Sequence, residues 1–97
     1  MNSNETTSFY RPLLSFLSSK EALFLSYFLN LHRLDNDDWF LVTALEIQKA
    51  TGLSKDQQLR IKKKLYELEV LKTKRRGIPA KNYYKIYGKK IWEKIND

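Results

Sequence analysis

The chain contains no cysteine and a single histidine, His32. Without thiols it forms no disulfide and has no thiol nucleophile, and one imidazole does not make a histidine metal cluster. No apolar run approaches the ~20 residues of a membrane-spanning helix, and residues 1–8 lack the apolar segment of a signal peptide. These absences predict a cytoplasmic protein in a reducing compartment, with no membrane partner.

The common catalytic patterns are also missing. The chain has no carboxylate pair placed for acid–base work, no Ser-His-Asp set, no phosphate-binding loop and no glycine-rich dinucleotide fingerprint. An acidic turn at 34–38 is similar to a calcium loop, but the glycine and the remaining ligands of such a loop are absent. We therefore expect no enzyme activity, cofactor, metal or small-molecule ligand. We interpret the acidic turn as a solvated loop and His32 as structural.

Positive charge is abundant and unevenly distributed. The 97 residues include 18 Lys and Arg against 11 Asp and Glu, a net charge of +7. Residues 52–97 carry 14 of these cations against 5 acids, a net of +9, whereas residues 1–51 carry 4 against 6, a net of −2. Such segregation is typical of a face that binds nucleic acid by neutralising phosphates.

The length and the 42% hydrophobic content predict one small domain over residues 9–97, preceded by a frayed tail at 1–8. Residues 9–17 are interpreted as a short strand or helical turn. A helix is predicted from the N-cap Ser18, with Glu21 completing a capping box, to about Arg33. This helix is apolar around most of its circumference, so it is covered either by the terminal segments or by a partner chain.

Two further helices follow a short predicted strand at 39–42. Thr43 caps the first of them with Glu46 as its partner, and that helix extends to about residue 50. Gly52 stands just past its end, where a left-handed residue is needed. Ser54 then caps a helix over about 55–69, with Gln57 in the partner position. Two capped helices joined by a short glycine-containing turn are typical of a helix-turn-helix.

The remainder of the chain predicts a hairpin and a last helix. Residues 70–75 alternate apolar and polar, residues 76–81 are rich in turn-forming residues, and residues 83–87 form a second strand. Residues 89–96 form a short amphipathic helix with Ile91, Trp92 and Ile95 on its apolar side. The predicted fold class is mainly α with a small β-hairpin (α+β), in which a three-helix core carries a two-stranded wing, the arrangement of a winged helix-turn-helix.

Three stretches carry a resemblance to a known family: T-A-L-E-I-Q-K-A-T-G-L-S, L-Y-E-L-E-V-L and K-R-R-G-I-P-A-K-N-Y-Y-K-I. Over residues 18–87 the chain resembles the winged-helix DNA-binding domains of phage, virus and plasmid proteins of prokaryotes, which include transcription regulators and replication initiators. For a viral protein, the resemblance implies the host-cell cytoplasm. Glu69 departs from the pattern, because such domains usually carry glycine there. We therefore expect the third helix to continue to Glu69.

The third helix is the predicted DNA-reading element, because an α-helix fits the major groove of duplex DNA. With Ile61 toward the core, helical periodicity places Lys62 and Tyr66 among the solvent-facing residues. Arg60 suits guanine, Leu59 a thymine methyl, and Asp56 either cytosine or the positive helix N-terminus. The predicted contact residues of this helix are Lys55, Asp56, Leu59, Arg60, Lys62, Lys63 and Lys64, of which Lys62 and Lys64 are expected on phosphates. A merely solvated charged face is the alternative.

The predicted wing contacts are Lys74, Arg75, Arg76 and Lys81, grouped around a turn with Gly77 and Pro79. Arginine at a hairpin tip suits a narrow minor groove or a phosphate; alternatively these charges only protect an edge strand from pairing. Tyr83 and Tyr84 point to opposite faces, so one is expected in the core. Trp39 and Trp92 are expected in the core or in an interface.

The sequence thus predicts sequence-specific binding of double-stranded DNA, first as a small transcriptional regulator. One alternative is origin binding or an accessory role in replication initiation, and a second is a winged-helix module for protein or RNA contact. The apolar first helix and the apolar side of the last helix predict a homodimer built from the N-terminal and C-terminal segments.

Overall fold

The protein is described from a computed structural model, which covers residues 9–31 and 39–97. The predicted tail at 1–8, His32, the helix end at Arg33 and the acidic turn at 34–38 lie outside the described residues. After a 3₁₀ turn at Arg11–Ser15, the elements are α1 Ser19–Leu31, β1 Phe40–Leu41, α2 Ala44–Thr51, α3 Lys55–Glu67, β2 Leu71–Arg76, β3 Lys81–Ile86 and α4 Gly88–Ile95. The predicted fold class is confirmed: four helices and a small antiparallel sheet in a winged-helix-like α+β arrangement.

The first three α-helices begin at the N-cap residues that the sequence predicts, and local hydrogen bonds hold each of these caps. At Thr43 and Ser54 both bonds of the capping box are present, and at Ser18 the backbone N–H donates to Glu21 Oε1 at 2.9 Å. Gly52 ends α2 in the left-handed region, with φ of 77°. The α2–α3 turn is therefore fixed by short-range chemistry, since a capping side chain satisfies helix donors that have no partner in the helix itself.

The end of α3 differs from the prediction. The helix stops at Glu67, and Glu69, expected to lie within it, adopts a left-handed conformation with φ of 64°. The N–H of Val70 donates to the carbonyl of Leu65, and that of Glu69 to the carbonyl of Tyr66, as in a Schellman motif. Val70 is fully buried, and its burial turns the chain into the wing even though the left-handed residue is not glycine.

The sheet has three strands rather than the predicted two. Its order is β1-β3-β2, and every neighbouring pair is antiparallel. The short strand predicted at 39–42 is present at Phe40–Leu41, where Phe40 pairs with Tyr84 and Leu41 with Tyr83. This pairing attaches the wing to the chain that follows α1, so the wing's inner strand is held on both edges.

The core centres on α1, whose Phe24, Leu25 and Phe28 are fully buried. Phe28 contacts the rings of Phe24, Phe40 and Tyr84 at centroid separations of 4.5, 5.5 and 5.1 Å. The N-terminal segment packs against the same helix, and its Tyr10 N–H donates to Ser26 Oγ at 2.9 Å. The terminal segment thus covers part of the apolar circumference of α1. None of the described helices is long and apolar enough to cross a membrane.

Candidate nucleic-acid interface

Gln58 joins α3 to the first residue of α2 and to the turn between the two helices. Its side chain is buried at 1% exposure, and Nε2 donates to the carbonyl of Ala44 at 3.1 Å and to that of Leu53 at 3.0 Å. Its Oε1 accepts no hydrogen bond from the described residues. Sequence reasoning missed this residue, although its spacing from Ile61 and Leu65 places it on the same helical stripe.

The burial of Gln58 shifts the core stripe of α3 around the helix. Ile61 and Leu65 are buried as predicted, but Tyr66 packs against the core and Lys62 is half-buried. The predicted place of Lys62 and Tyr66 on the solvent-facing side is therefore wrong. Both lie on the flank of α3 that faces the sheet. The buried stripe of α3 includes Gln58 in addition to Ile61 and Leu65, so its centre lies closer to that flank.

Lys62 is engaged by the protein. Its Nζ donates to Tyr84 Oη at 3.1 Å and lies 5.4 Å from the centroid of that ring. Burial raises the pKa of Tyr84 above its ordinary value, and burial likewise raises the pKa of Tyr66, against an opposing effect of the Lys62 charge. Lys62 therefore joins α3 to the wing, and its predicted phosphate contact stays a prediction.

The other predicted helix contacts are exposed together on one side of α3: Lys55, Asp56, Leu59, Arg60, Lys63 and Lys64. Leu59 is 61% exposed among these charges, a degree of exposure that Leu45 of α2 shares at 58%. Arg60 lines a shallow pocket of about 180 Å³ toward the start of α1, together with Lys20 and Glu21. This side of α3 combines hydrogen-bond donors, phosphate-seeking charges and one apolar contact, which is the chemistry of major-groove readout.

The strand register divides the predicted wing cations between two faces. Opposite residues of an antiparallel pair share a face, and successive residues alternate. Thr73 pairs with Tyr84, and Tyr84 is buried and bound to Lys62, so this pair faces α3. The next pair on that face is Arg75 with Asn82. Arg75 is exposed and is the wing cation placed on the same side as α3.

The remaining three predicted wing cations lie on the opposite face. Arg76 pairs with Lys81, and Lys74 pairs with Tyr83. Arg76 and Lys81 are exposed beside the turn, whereas the Nζ of Lys74 lies 4.3 Å from the centroid of the Trp39 ring. These cations are close to Arg75 in the sequence. The alternation of side chains along the strands nevertheless places them, Lys74 included, on the face turned away from α3.

Ile78 stands at the tip of the wing and is completely exposed. Gly77 precedes it with φ of 93°, a conformation that favours glycine. An apolar side chain held out by a turn and flanked by Arg76 and Lys81 is the kind of group that enters a minor groove between base steps. Sequence reasoning missed Ile78 because it treated the turn only as a carrier of charge.

The described residues contain no group of three or more His, Asp or Glu side chains that could hold a metal ion. The site is therefore interpreted from its cations, its aromatic rings and its exposed apolar groups.

Two solved structures share this fold. No protein-family model and no curated protein matches the chain. One of the two structures is described as "N-Terminal domain of DNA binding protein"; it has a TM-score of 0.62 and 17% identity over 92% of this chain and 82% of that one. The other is described as "Structure of Rep-DNA complex", with a TM-score of 0.60 and 18% identity over 86% and 75%. At these identities the likeness establishes the fold.

Proposed function

We propose that the protein binds double-stranded DNA in a sequence-specific way, with α3 in the major groove and the wing on the adjacent backbone or minor groove. The observation that carries this proposal is the exposed side of α3, where Leu59 stands among Lys55, Arg60 and Lys63. Three cations on one exposed helix face supply donors for base edges and charges for phosphates, and Leu59 between them supplies an apolar contact for a thymine methyl. The descriptions of the two fold neighbours, both of which mention DNA, support the same proposal.

We propose first that the protein uses this binding to regulate transcription in the cytoplasm. Replication initiation is the second, and it is favoured by the fold neighbour described as a Rep–DNA complex. The resemblance to phage, virus and plasmid winged-helix domains is compatible with both. Selection of bound duplexes from a random pool distinguishes them when the recovered site is located: a promoter supports regulation, and a replication origin supports initiation.

The salt dependence of binding tests the proposal directly. The net charge of +9 over residues 52–97 predicts several phosphate contacts, so log affinity should fall with log salt at a slope of about −4 to −8. Gel-shift titrations at several salt concentrations measure the slope. A flat response, or no binding to any duplex at low salt, would remove duplex DNA as the target and favour the third candidate, a module for protein or RNA contact.

Substitutions separate reading from positioning. Arg60→Ala and Lys63→Ala should each relax base preference at particular positions, at a cost of about 1–3 kcal/mol where the contact is bidentate. Arg75→Ala should weaken binding evenly across sequences, since a phosphate contact carries no base information. Competition titrations against single-base variants of the selected site measure both effects. If Arg75→Ala changed base preference and the α3 variants did not, the roles of helix and wing would be reversed.

We further propose that the protein binds DNA as a homodimer. Tyr10 and Trp92 line one shallow apolar pocket with Ile91 and Ile95, and Tyr10 is 41% and Trp92 62% exposed. We take these two exposed rings as the centre of the dimer contact, and two-fold symmetry would place two α3 helices on half-sites about one helical turn apart. Sedimentation equilibrium should show that the full chain is a dimer. The Trp92→Ser variant should dimerise more weakly. A monomeric full chain at concentrations well above the Kd for DNA would contradict this proposal.

A further inference from the structure

The sheet face turned away from α3 is built in rows across three strands, and we call it the outer face. One row places Lys85 opposite Lys72, the next places Leu41, Tyr83 and Lys74 side by side, and a third places Lys81 opposite Arg76. Trp39, one residue before Phe40, extends the outer face along β1. All of these residues are exposed or half-buried, so the outer face is an open surface rather than a second core.

The outer face concentrates positive charge at a cost to the sheet. The pairs Lys72–Lys85 and Arg76–Lys81 put like charges directly opposite each other, which destabilises an antiparallel pair. Within the part of the chain that the structure describes, the only ion pair formed is Lys90 with Glu69, away from these residues. The self-repulsion is relieved when a polyanion lies across the strands.

Aromatic rings are interleaved with these cations. Lys74 Nζ lies 4.3 Å from the Trp39 ring, and the Nζ atoms of Lys72 and Lys85 lie 5.5 and 5.6 Å from the Tyr87 ring. Tyr83 is half-buried at the centre of the outer face, between Leu41 and Lys74. Rings held among lysines on an open sheet provide surfaces on which unpaired bases stack while the lysines follow the backbone.

We propose that the outer face binds single-stranded DNA, as a second nucleic-acid site separate from α3. The aromatic rings favour a single strand over a duplex, because the base faces of a duplex are already stacked on one another and unavailable to Tyr83. The positive charge favours a polyanion over a protein segment. This site goes beyond the proposed duplex binding: its place on the outer face does not depend on that proposal, and only its choice of DNA over RNA rests on it.

Two tryptophans allow the outer face to be observed directly. Trp39 lies on it, whereas Trp92 of α4 lines the pocket with Tyr10 and Ile95. Trp92→Phe therefore leaves Trp39 as the one fluorescent indole, and Trp39→Phe leaves Trp92. Each variant is titrated at low salt with an oligothymidylate of about 16 nucleotides. We expect the fluorescence of Trp39 to change saturably and that of Trp92 to stay constant.

Substitutions then locate the site. The first variant combines Lys72→Gln and Lys85→Gln, and the second is Tyr83→Ser; none of these positions belongs to the proposed duplex site. Loss of the Tyr83 ring should weaken oligothymidylate binding by about tenfold, and Tyr83→Phe should restore it because the ring is what stacks. Lys63→Ala, on α3, should leave oligothymidylate binding unchanged. Circular dichroism confirms that each variant is folded.

Duplex binding, measured on the same variants, separates the two proposals. The outer-face variants should keep their affinity for duplex DNA and lose affinity for oligothymidylate. Lys63→Ala should lose affinity for duplex DNA and keep its affinity for oligothymidylate. If Lys63→Ala abolished both activities and the outer-face variants neither, single strands would use the α3 face and the inference would be overturned. It would also be overturned if oligothymidylate did not bind at low salt, or if oligouridylate bound in its place, which would make RNA the ligand.

Discussion

The replacement of Glu69 by glycine tests how the α3–wing junction is held. Glu69 has φ of 64°, in the left-handed region, which glycine adopts freely and in which L-residues other than Asn and Asp are strained. Its side chain is 70% exposed, and its one ion pair, with Lys90 at 3.4 Å, joins two exposed groups. Glycine removes the Cβ strain and keeps the two backbone bonds that Glu69 and Val70 donate.

The expected magnitude is the difference of opposing effects. The left-handed conformation costs an L-residue about 1–2 kcal/mol, and glycine loses about 0.5–1 kcal/mol through the greater freedom of the unfolded chain. The exposed pair with Lys90 contributes about 0–1 kcal/mol. Glu69→Gly should therefore leave the free energy of unfolding nearly unchanged, with a central expectation of a rise of about 0.25 kcal/mol. Glu67→Gly, at the last residue of α3, has no strain to relieve and should lower it by about 0.5–1 kcal/mol.

Both substitutions remove the same side chain and give the unfolded chain the same freedom. In a Lys90→Gln background, which removes the ion pair of Glu69, the difference between them, about 1–2 kcal/mol, isolates the backbone strain at Glu69. Urea denaturation followed by circular dichroism measures it, and a thermal scan should separate the two variants by about 4–8 °C per kcal/mol. Equal destabilisation by the two substitutions would refute the reasoning, since it would mean that position 69 carries no strain.

Three further predictions concern other parts of the molecule. Gln58→Leu removes one hydrogen bond from α3 to α2 and one from α3 to the turn between them, and it should lower the free energy of unfolding by about 1–2 kcal/mol. The exposed Gln48→Leu should change it by less than about 0.5 kcal/mol, and equal effects in urea titrations would count against the bridging role. Tyr84 and Tyr66 have pKa values raised by burial, so the folded state binds more protons than the unfolded state above about pH 10, and stability should fall as pH rises from there. Tyr84→Phe should make that alkaline loss shallower, and an unchanged pH profile would argue that Tyr84 ionises without penalty. Ile78→Ser should leave stability within about 0.5 kcal/mol, because the side chain is fully exposed, yet weaken duplex binding in gel shifts; unaltered affinity would exclude Ile78 from the groove.

Short-range patterns in the sequence determined the parts of the fold that depend on nearest neighbours. Thr43, Ser54 and Gly52 were predicted as caps because each satisfies or ends a helix through residues at most a turn away, and all three are confirmed. The hairpin and the last helix follow from alternation and periodicity in the same way. The positive second half of the chain is a property of composition, which folding does not alter.

The tertiary structure decided what depends on contacts between distant residues. The pairing of Phe40 with Tyr84 makes the hairpin a three-stranded sheet, and no local pattern specifies that partner. Glu69 adopts a strained conformation because the next residue, Val70, is buried in the core. The contacts that bury Val70 come from other elements and are not specified by the local sequence of α3.

The division of the binding surface has the same origin. Arg75 and Arg76 are adjacent in sequence, yet the β2–β3 register places them on opposite faces of the wing. Gln58 belongs to the buried stripe of α3, and Lys62, on the flank of that stripe, donates to Tyr84. The sequence by itself thus determined where charge accumulates and which segments form helices and strands, apart from residues 9–17 and the end of α3. Only the packed structure decided which face each charge occupies, because a side chain's direction depends on which side of its strand or helix is buried.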